Sequence, residues 1–371
     1  MLIILFTAVL LLTYSNGAND NFKGVATLWG SGSLNYKSAL VLATVATFAG
    51  SVCSYFFADA LIKGFSGKGL VPDNIIHSVN FVLAVALAAG ATVLLATRFG
   101  FPVSTTHGLV GALIGSGLVA VGKDVNFAAL GKSFFLPLLL SPFLAIILSS
   151  VAYWILHNTR KASGISEDLC ICVGKKWVPV QTIDTRSTSF TAVPVLETKI
   201  STTEDCVMQY QGNLFGISFQ SVLNNLHYAS AAIVSFARGL NDTPKLVSLL
   251  LITSLFKIPV YIGVLAFVMA VGGLLNARKV AATMSKKISK FNHGQGFTAN
   301  FIIGALVIAA SKFGLPVSTT HVSVGSIYGI GIVNKTANHK EISKIALSWV
   351  LTLPIAALLS AFFYFILRQY S

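Results

Sequence analysis

Twice in this chain a proline is followed by Val-Ser-Thr-Thr-His, at Pro102–His107 and again at Pro316–His321. Such a run reads as a helix start. Proline is tolerated in the first helical turn, and Ser and Thr hydroxyls cap the free amides behind it. A helix start also offers unpaired N–H groups and a partial positive charge, which together bind oxyanions. Ser104, Thr105, Thr106, Ser318, Thr319 and Thr320 are therefore candidate ligands for a tetrahedral anion. The blander reading is a pair of helix caps packed together with no ligand. His107 and His321 close the two runs. They can relay protons or hydrogen-bond the turn, and the second role is preferred.

A second duplicated element supplies charge. Asn19-Asp20 and Asn241-Asp242 each follow an apolar stretch too short to finish a membrane crossing. A charge at mid-bilayer costs roughly 2.5–3.5 kcal/mol on insertion scales. Both aspartates could lie at helix ends near water. Their recurrence at one place in each half favours a role in holding Na⁺ or relaying a proton, and Asp20 and Asp242 are the metal ligands if sodium is the ion. Lys23 and Lys245 follow the aspartates by three residues, on the same helix face. They form ion pairs or help to draw an anionic substrate. Arg238 precedes Asp242 by four residues, where the first half has Asn16. It is a second neutralising partner or a break in the symmetry of the site.

These residues must be held by membrane helices. Only 10% of the 371 residues are charged, against about 25% in a soluble domain. Mean hydropathy is +0.78. Apolar runs such as Ala39–Phe57, Val79–Ala96, Leu136–Leu156 and Ile345–Leu367 approach the roughly 20 residues that cross a bilayer. The pattern is that of an all-α polytopic membrane protein with roughly 10–12 membrane segments. A β-barrel would alternate in short segments instead. MLIILFTAVLLLTYS has no basic flank or cleavage site and reads as the first half of a span, not as a signal peptide.

The chain is a tandem duplication. ATRFGFPVSTTH (Ala96–His107) aligns with ASKFGLPVSTTH (Ala310–His321) at nine of twelve positions. NGANDNFKG (Asn16–Gly24) matches RGLNDTPKL (Arg238–Leu246), and Ser141–Leu156 resembles Leu353–Leu367 in the same order. Half one covers 1–157, a polar insert 158–210, and half two 211–371. WVPVQTID and FTAVPVLETKI within the insert look extended. Cys170, Cys172 and Cys206 there lack zinc-site spacing and read as reduced thiols. Internal duplication is a mark of secondary transporters. Each half is expected to start with a span broken at its Asn-Asp pair. Each Ser/Thr run is then a re-entrant hairpin, since irregular backbone at membrane depth must line a cavity.

The net charge is +14, and no basic-aromatic module for nucleic acid appears. The excess reads as cytoplasmic loops. The loops at Asp59–His77 and Ala277–Phe297 are equivalent, yet the second is far richer in Lys and Arg. That points to opposite sides of the membrane, hence an inverted repeat in a plasma (inner) membrane. Loop 277–297 and the insert 158–210, which begins with Arg160 and Lys161, fall in the cytoplasm.

At Gly17–Asp20, Gly239–Asp242, Pro102–His107 and Pro316–His321 the sequence resembles the inorganic phosphate transporter (PiT) family. The resemblance covers both halves and leaves the insert aside. It implies symport of inorganic phosphate with Na⁺ or H⁺, no other cofactor, an inverted repeat and a homodimer in the lipid bilayer. By motif position it gives the Ser/Thr runs to phosphate or cation, and Asn19, Asp20, Asn241 and Asp242 to coupling. Familiar members read VAN or VSN after the first Asn-Asp pair, where this chain reads NFK and TPK. Sulfate or another oxyanion is therefore the alternative substrate. A channel is the alternative of another class, since paired re-entrant helices also build pores. No nucleophile–base set suggests an enzyme.

Overall fold

A computed structural model of the chain describes residues 1–57, 70–163, 169–184, 187–202 and 217–369. Cys206 and residues 59–69 of the Asp59–His77 loop lie outside the described residues. The chain forms two compact units, Met1–Trp154 with His227–Ser371, and Ile155–Leu226.

The first unit is helical. Its long helices are α1 (Leu2–Asp20), α2 (Tyr36–Phe57), α3 (Val79–Phe99), α4 (Thr105–Val121) and α5 (Leu136–Ala162) in half one. Half two repeats them as α6 (Phe219–Leu250), α7 (Ile258–Asn276), α8 (His293–Lys312), α9 (Thr319–Val333) and α10 (His339–Gln369). Among the described residues eight helices are long and apolar enough to cross a bilayer, against the expected 10–12. Among the long helices the two others are α6 and α9. The 15 residues of α9 make a short rod, and α6 carries Asn, His, Arg, Asp and Lys along its length.

Each turn from α3 to α4 and from α8 to α9 is set by one glycine. Gly100 and Gly314 take positive φ, 77° and 65°, which glycine adopts without a Cβ clash. Phe101 N–H donates to Ala96 O and Gly100 N–H to Thr97 O, both at 3.0 Å; Leu315 and Gly314 repeat this onto Ala310 and Ser311. This is the Schellman ending of a helix. Proline follows two residues later. Ser104 and Ser318 then cap the next helices, accepting from His107 N–H (3.1 Å) and His321 N–H (3.2 Å).

The halves interlock through paired contacts. A Cβ on Gly17 would lie 2.0 Å from Met269 O, and one on Gly239 would lie 2.2 Å from Thr47 O. Each partner is displaced by the same 222 residues (17 to 239, 47 to 269). So α1 lies on α7 as α6 lies on α2. Likewise Gly111 and Gly115 of α4 press on Leu353 O and Ala357 O of α10, and Gly325 and Gly329 of α9 press on Pro142 O and Ile146 O of α5. Small residues allow such backbone approach in membranes. Gly115→Ala, whose Cβ would sit 1.9 Å from Ala357 O, is expected to cost about 1–3 kcal/mol or more by overpacking. Gly263→Ala in α7, with nothing within 4 Å, is expected to gain about 0.5–1 kcal/mol. Thermal melts of the purified variants check both.

Two expectations need correction here. The Asn-Asp break occurs only in half one. There α1 ends at Asp20, and a 3₁₀ turn Lys23–Val25 precedes a short helix Ala26–Gly30. In half two α6 continues through Asn241-Asp242 with Pro244 inside it. Local propensity does not account for the difference, since the unbroken half carries the stronger helix breaker, Pro244, where half one has Phe22. In half one Gly24 is held against Ser235, its Cβ position 2.8 Å from the Ser235 backbone N. Second, Ala277–Phe297 is not a plain hydrophilic loop. It holds helical turns at Arg278–Ala282 and Thr283–Lys287. Val280, Ala281, Met284 and Ile288 are buried in the apolar core beside Val25 and Leu28, while its basic residues stay outward.

The second unit contains β1 (Leu169–Asp184), β2 (Ser187–Thr202) and β3 (Ile217–Ser218), so the all-α description holds for the other unit alone. Their order is β2-β1-β3, antiparallel, with Leu169 opposite Thr202 and Asp184 opposite Ser187. Cys170 and Cys172 stand in β1.

Candidate functional site

The Ser-Thr-Thr runs and the Asn-Asp pairs come together at one place inside the helical unit. Ser104, Thr105, Thr106, Ser318, Thr319 and Thr320 are all buried, as are Asn19, Asp20, Asn241 and Asp242. The lysines join the two sets. Lys23 Nζ donates to Asp20 and Thr320, to Asn19 Oδ1 (3.1 Å) and to Val103 O (2.9 Å). Lys245 Nζ donates to Asn241, Asp242 Oδ1 (3.2 Å), Thr106 Oγ1 (3.0 Å) and Val317 O (3.3 Å). The two networks match residue for residue. Each lysine pairs with the aspartate three residues before it and crosses to the hydroxyl run of the other half.

The amides of the Asn-Asp pairs hold the hairpin tips. Asn19 Nδ2 donates to Thr97 Oγ1 (2.9 Å) and Phe101 O (3.0 Å), while its Oδ1 accepts from Val103 N–H (3.1 Å). Asn241 Nδ2 donates to Ser311 Oγ (2.9 Å). Thr320 Oγ1 also donates to Val103 O at 2.7 Å, so the two tips touch. Ser104 and Ser318 spend an oxygen lone pair on their own helices, yet each hydroxyl proton can still be donated. His107 and His321 meet edge to face with ring centroids 4.5 Å apart. His321 Nδ1 lies 3.2 Å from Leu138 O, and its ring packs on Trp349. Trp349 Nε1 in turn donates to Pro102 O at 2.8 Å.

Arg238 breaks the symmetry. Its Nη2 donates to Asn16 Oδ1 (2.8 Å), its Nη1 to Asn21 Oδ1 (3.2 Å), and its Nε lies 3.5 Å from Asp242 Oδ2. Asn16 Nδ2 donates to Thr105 Oγ1 (2.9 Å) and to Asp242 Oδ2 (3.4 Å). Asp20, Lys23, Arg238, Asp242 and Lys245 are the buried Asp, Lys and Arg side chains among the described residues. Three cations thus face two carboxylates, with one formal positive charge over. Buried charge is costly unless paired, so this arrangement favours an anion at the tips.

Sequence reasoning missed Asn16, Thr97 and Ser311. The signal was available for the last two, because both stand two residues before the Phe-Gly of each aligned run, and both are hydroxyl residues. A cavity of about 600 Å³ adjoins Thr97 and is lined by Arg98, Asn276, Arg278 and Lys279 with apolar neighbours. Basic walls concentrate anions at a mouth. Arg98→Gln with Arg278→Gln is expected to raise the apparent KM for an anionic substrate about three- to tenfold at low ionic strength and less in high salt. Initial uptake rates at two salt concentrations check this.

A duplicated helical bundle that buries paired hairpin tips, two aspartates and three cations is the architecture of a secondary transporter. The model of the phosphate transporter family matches residues 16–360, so the chain belongs to that family. Among curated relatives, a Bacillus subtilis protein named "probable low-affinity inorganic phosphate transporter" is 28% identical, covering 99% of this chain and 97% of that one. Inorganic phosphate transporter 2-1, chloroplastic, of Arabidopsis thaliana is 25% identical over 96% of this chain and 70% of its own. A solved structure described as the sodium-dependent phosphate transporter superposes with a TM-score of 0.76 at 22% identity, over 100% of this chain and 99% of its own. That likeness shows the fold.

Proposed function

We propose that this transporter carries inorganic phosphate by alternating access, with the anion gripped between the two hairpin tips. The observation that carries this reading is the buried site in which three cations oppose two carboxylates beside two helix starts. Thr105, Thr106 and Thr319 with the amides of the first turns of α4 and α9 supply donors for a tetrahedral oxyanion, and Thr320 joins them once its proton leaves Val103 O. Ser104 and Ser318 hold those turns in place and lend their hydroxyl protons. The site residues are shut from solvent, so the tips must part on one side and then the other. The matched contacts of the halves suit a rocking motion about the fixed site; on this reading the repeat is inverted and each α3–α4 and α8–α9 pair is a re-entrant hairpin. The basic segment 277–297 and the insert 158–210 face the cytoplasm of a cell membrane on this reading, and two copies make the working unit.

Radiolabelled phosphate uptake into proteoliposomes tests it, with excess sulfate as competitor. Uptake that sulfate leaves intact is the expected result. No gradient-driven phosphate uptake, or full block by sulfate, overturns the phosphate assignment. Flow that ignores every ion gradient would favour a channel.

A further inference from the structure

We propose that Lys23 and Lys245 are tethered stand-ins for coupling cations, so that this protein moves phosphate with no requirement for sodium. Each ammonium sits among four oxygens of mixed kind. For Lys23 these are the Asn19 amide oxygen, the Asp20 carboxylate, the Val103 carbonyl and the Thr320 hydroxyl. For Lys245 they are the same four types from Asn241, Asp242, Val317 and Thr106. Carboxylate, side-chain amide and backbone carbonyl oxygens are the donors that hard cations take, and carbonyls freed by irregular chain are the ones transporters turn on their coupling ion. The half-one cage lies where α1 ends and a hairpin tip turns, both places with carbonyls outside regular helix.

An ammonium has three N–H groups and no acceptor. Four oxygens leave it no unmet demand, and both lysines are almost wholly buried, 1% and 2% exposed. A Na⁺ entering either cage would have to displace a fixed cation that is already paired with the cage's carboxylate. The positive charge that a bound sodium would bring to the hairpin tips is instead covalently present. It is present twice, related by the same displacement that relates the halves. The geometry therefore makes the anion site permanently charged, and the coupling ion, if one moves, is not sodium.

This inference deepens the transport reading above, and its test separates the two. Phosphate uptake is measured in proteoliposomes in sodium chloride and in choline chloride, each with and without an imposed pH gradient. Equal rates in the two salts are expected, and stimulation by sodium overturns the proposal. Purified protein is also melted in the two salts, a readout that needs no transport. No shift is expected for the wild type, because only a ligand that binds the folded state raises its melting temperature; a sodium-dependent rise overturns the proposal even if phosphate uptake fails. Lys23→Asn/Lys245→Asn vacates both cages. It is expected to melt higher in sodium than in choline and to gain about tenfold sodium stimulation of uptake, within the usual range of coupling between sites. Lys23→Asn alone serves if the double variant does not reach the membrane. A folded variant whose melting ignores sodium overturns the reading of the cages as cation sites.

Discussion

The Asp242→Asn variant is expected to reach the membrane but accumulate no phosphate, and to melt well below the wild type. Asp242 stands between two cations, with Lys245 Nζ at 3.2 Å and Arg238 Nε at 3.5 Å. It also accepts from Asn16. Asparagine keeps the shape and removes the charge, leaving both cations buried without that carboxylate. Breaking a buried pair from one side costs roughly 3–5 kcal/mol. Asp20→Asn is expected to cost less, because it removes the partner of one cation, Lys23, where Asp242→Asn removes that of two. Uptake into proteoliposomes and melting in detergent read the two effects separately. Wild-type uptake by Asp242→Asn would remove this carboxylate from the mechanism.

The second large effect concerns the residue that half one lacks. Arg238→Gln is expected to raise the KM for phosphate by roughly thirtyfold or more, the scale for losing a buried, hydrogen-bonded charge at a binding site. The substitution takes the site from one formal positive charge to none, while Asp242 keeps Lys245. Turnover at saturating phosphate should change much less than KM. Arg238→Lys is expected to restore part of the affinity. Its point charge cannot reach Asn16, Asn21 and Asp242 together as the guanidinium fork does. A lowered melting temperature with unchanged KM would mark Arg238 as a brace between α1 and α6 only.

Much of this was legible in the residues. The duplicated Pro-Val-Ser-Thr-Thr-His runs announced two capped helix starts, and both serine caps are present. The three-residue spacing from aspartate to lysine announced two ion pairs, and both are present; the shared helix face holds for Asp242 and Lys245 in α6, whereas Lys23 reaches Asp20 from the 3₁₀ turn beyond the end of α1. Apolar runs marked the long helices, and the extended look of WVPVQTID and FTAVPVLETKI matches β1 and β2. Spacing within one element is enough for such readings, because a helix places residues three and four apart together whatever surrounds it.

Other features depended on neighbours from distant parts of the chain. The break after Asp20 and the unbroken path through Asp242, which holds despite Pro244, run against local propensity, and the broken turn packs Gly24 against Ser235 of α6. The burial of Val280, Ala281, Met284 and Ile288 in a basic segment required a core to receive them. Thr97 and Ser311 became site residues only when Asn19 and Asn241 came to lie beside them. The sequence by itself determined which groups exist, that they come in two matched sets, and which partners lie within a helical turn. Only the tertiary structure decided that Lys23 reaches Thr320, that Lys245 reaches Thr106 and that Arg238 holds Asn16. Those pairings join groups from different helices, and close helix packing at Gly17, Gly239, Gly115 and Gly329 brings them within hydrogen-bond reach.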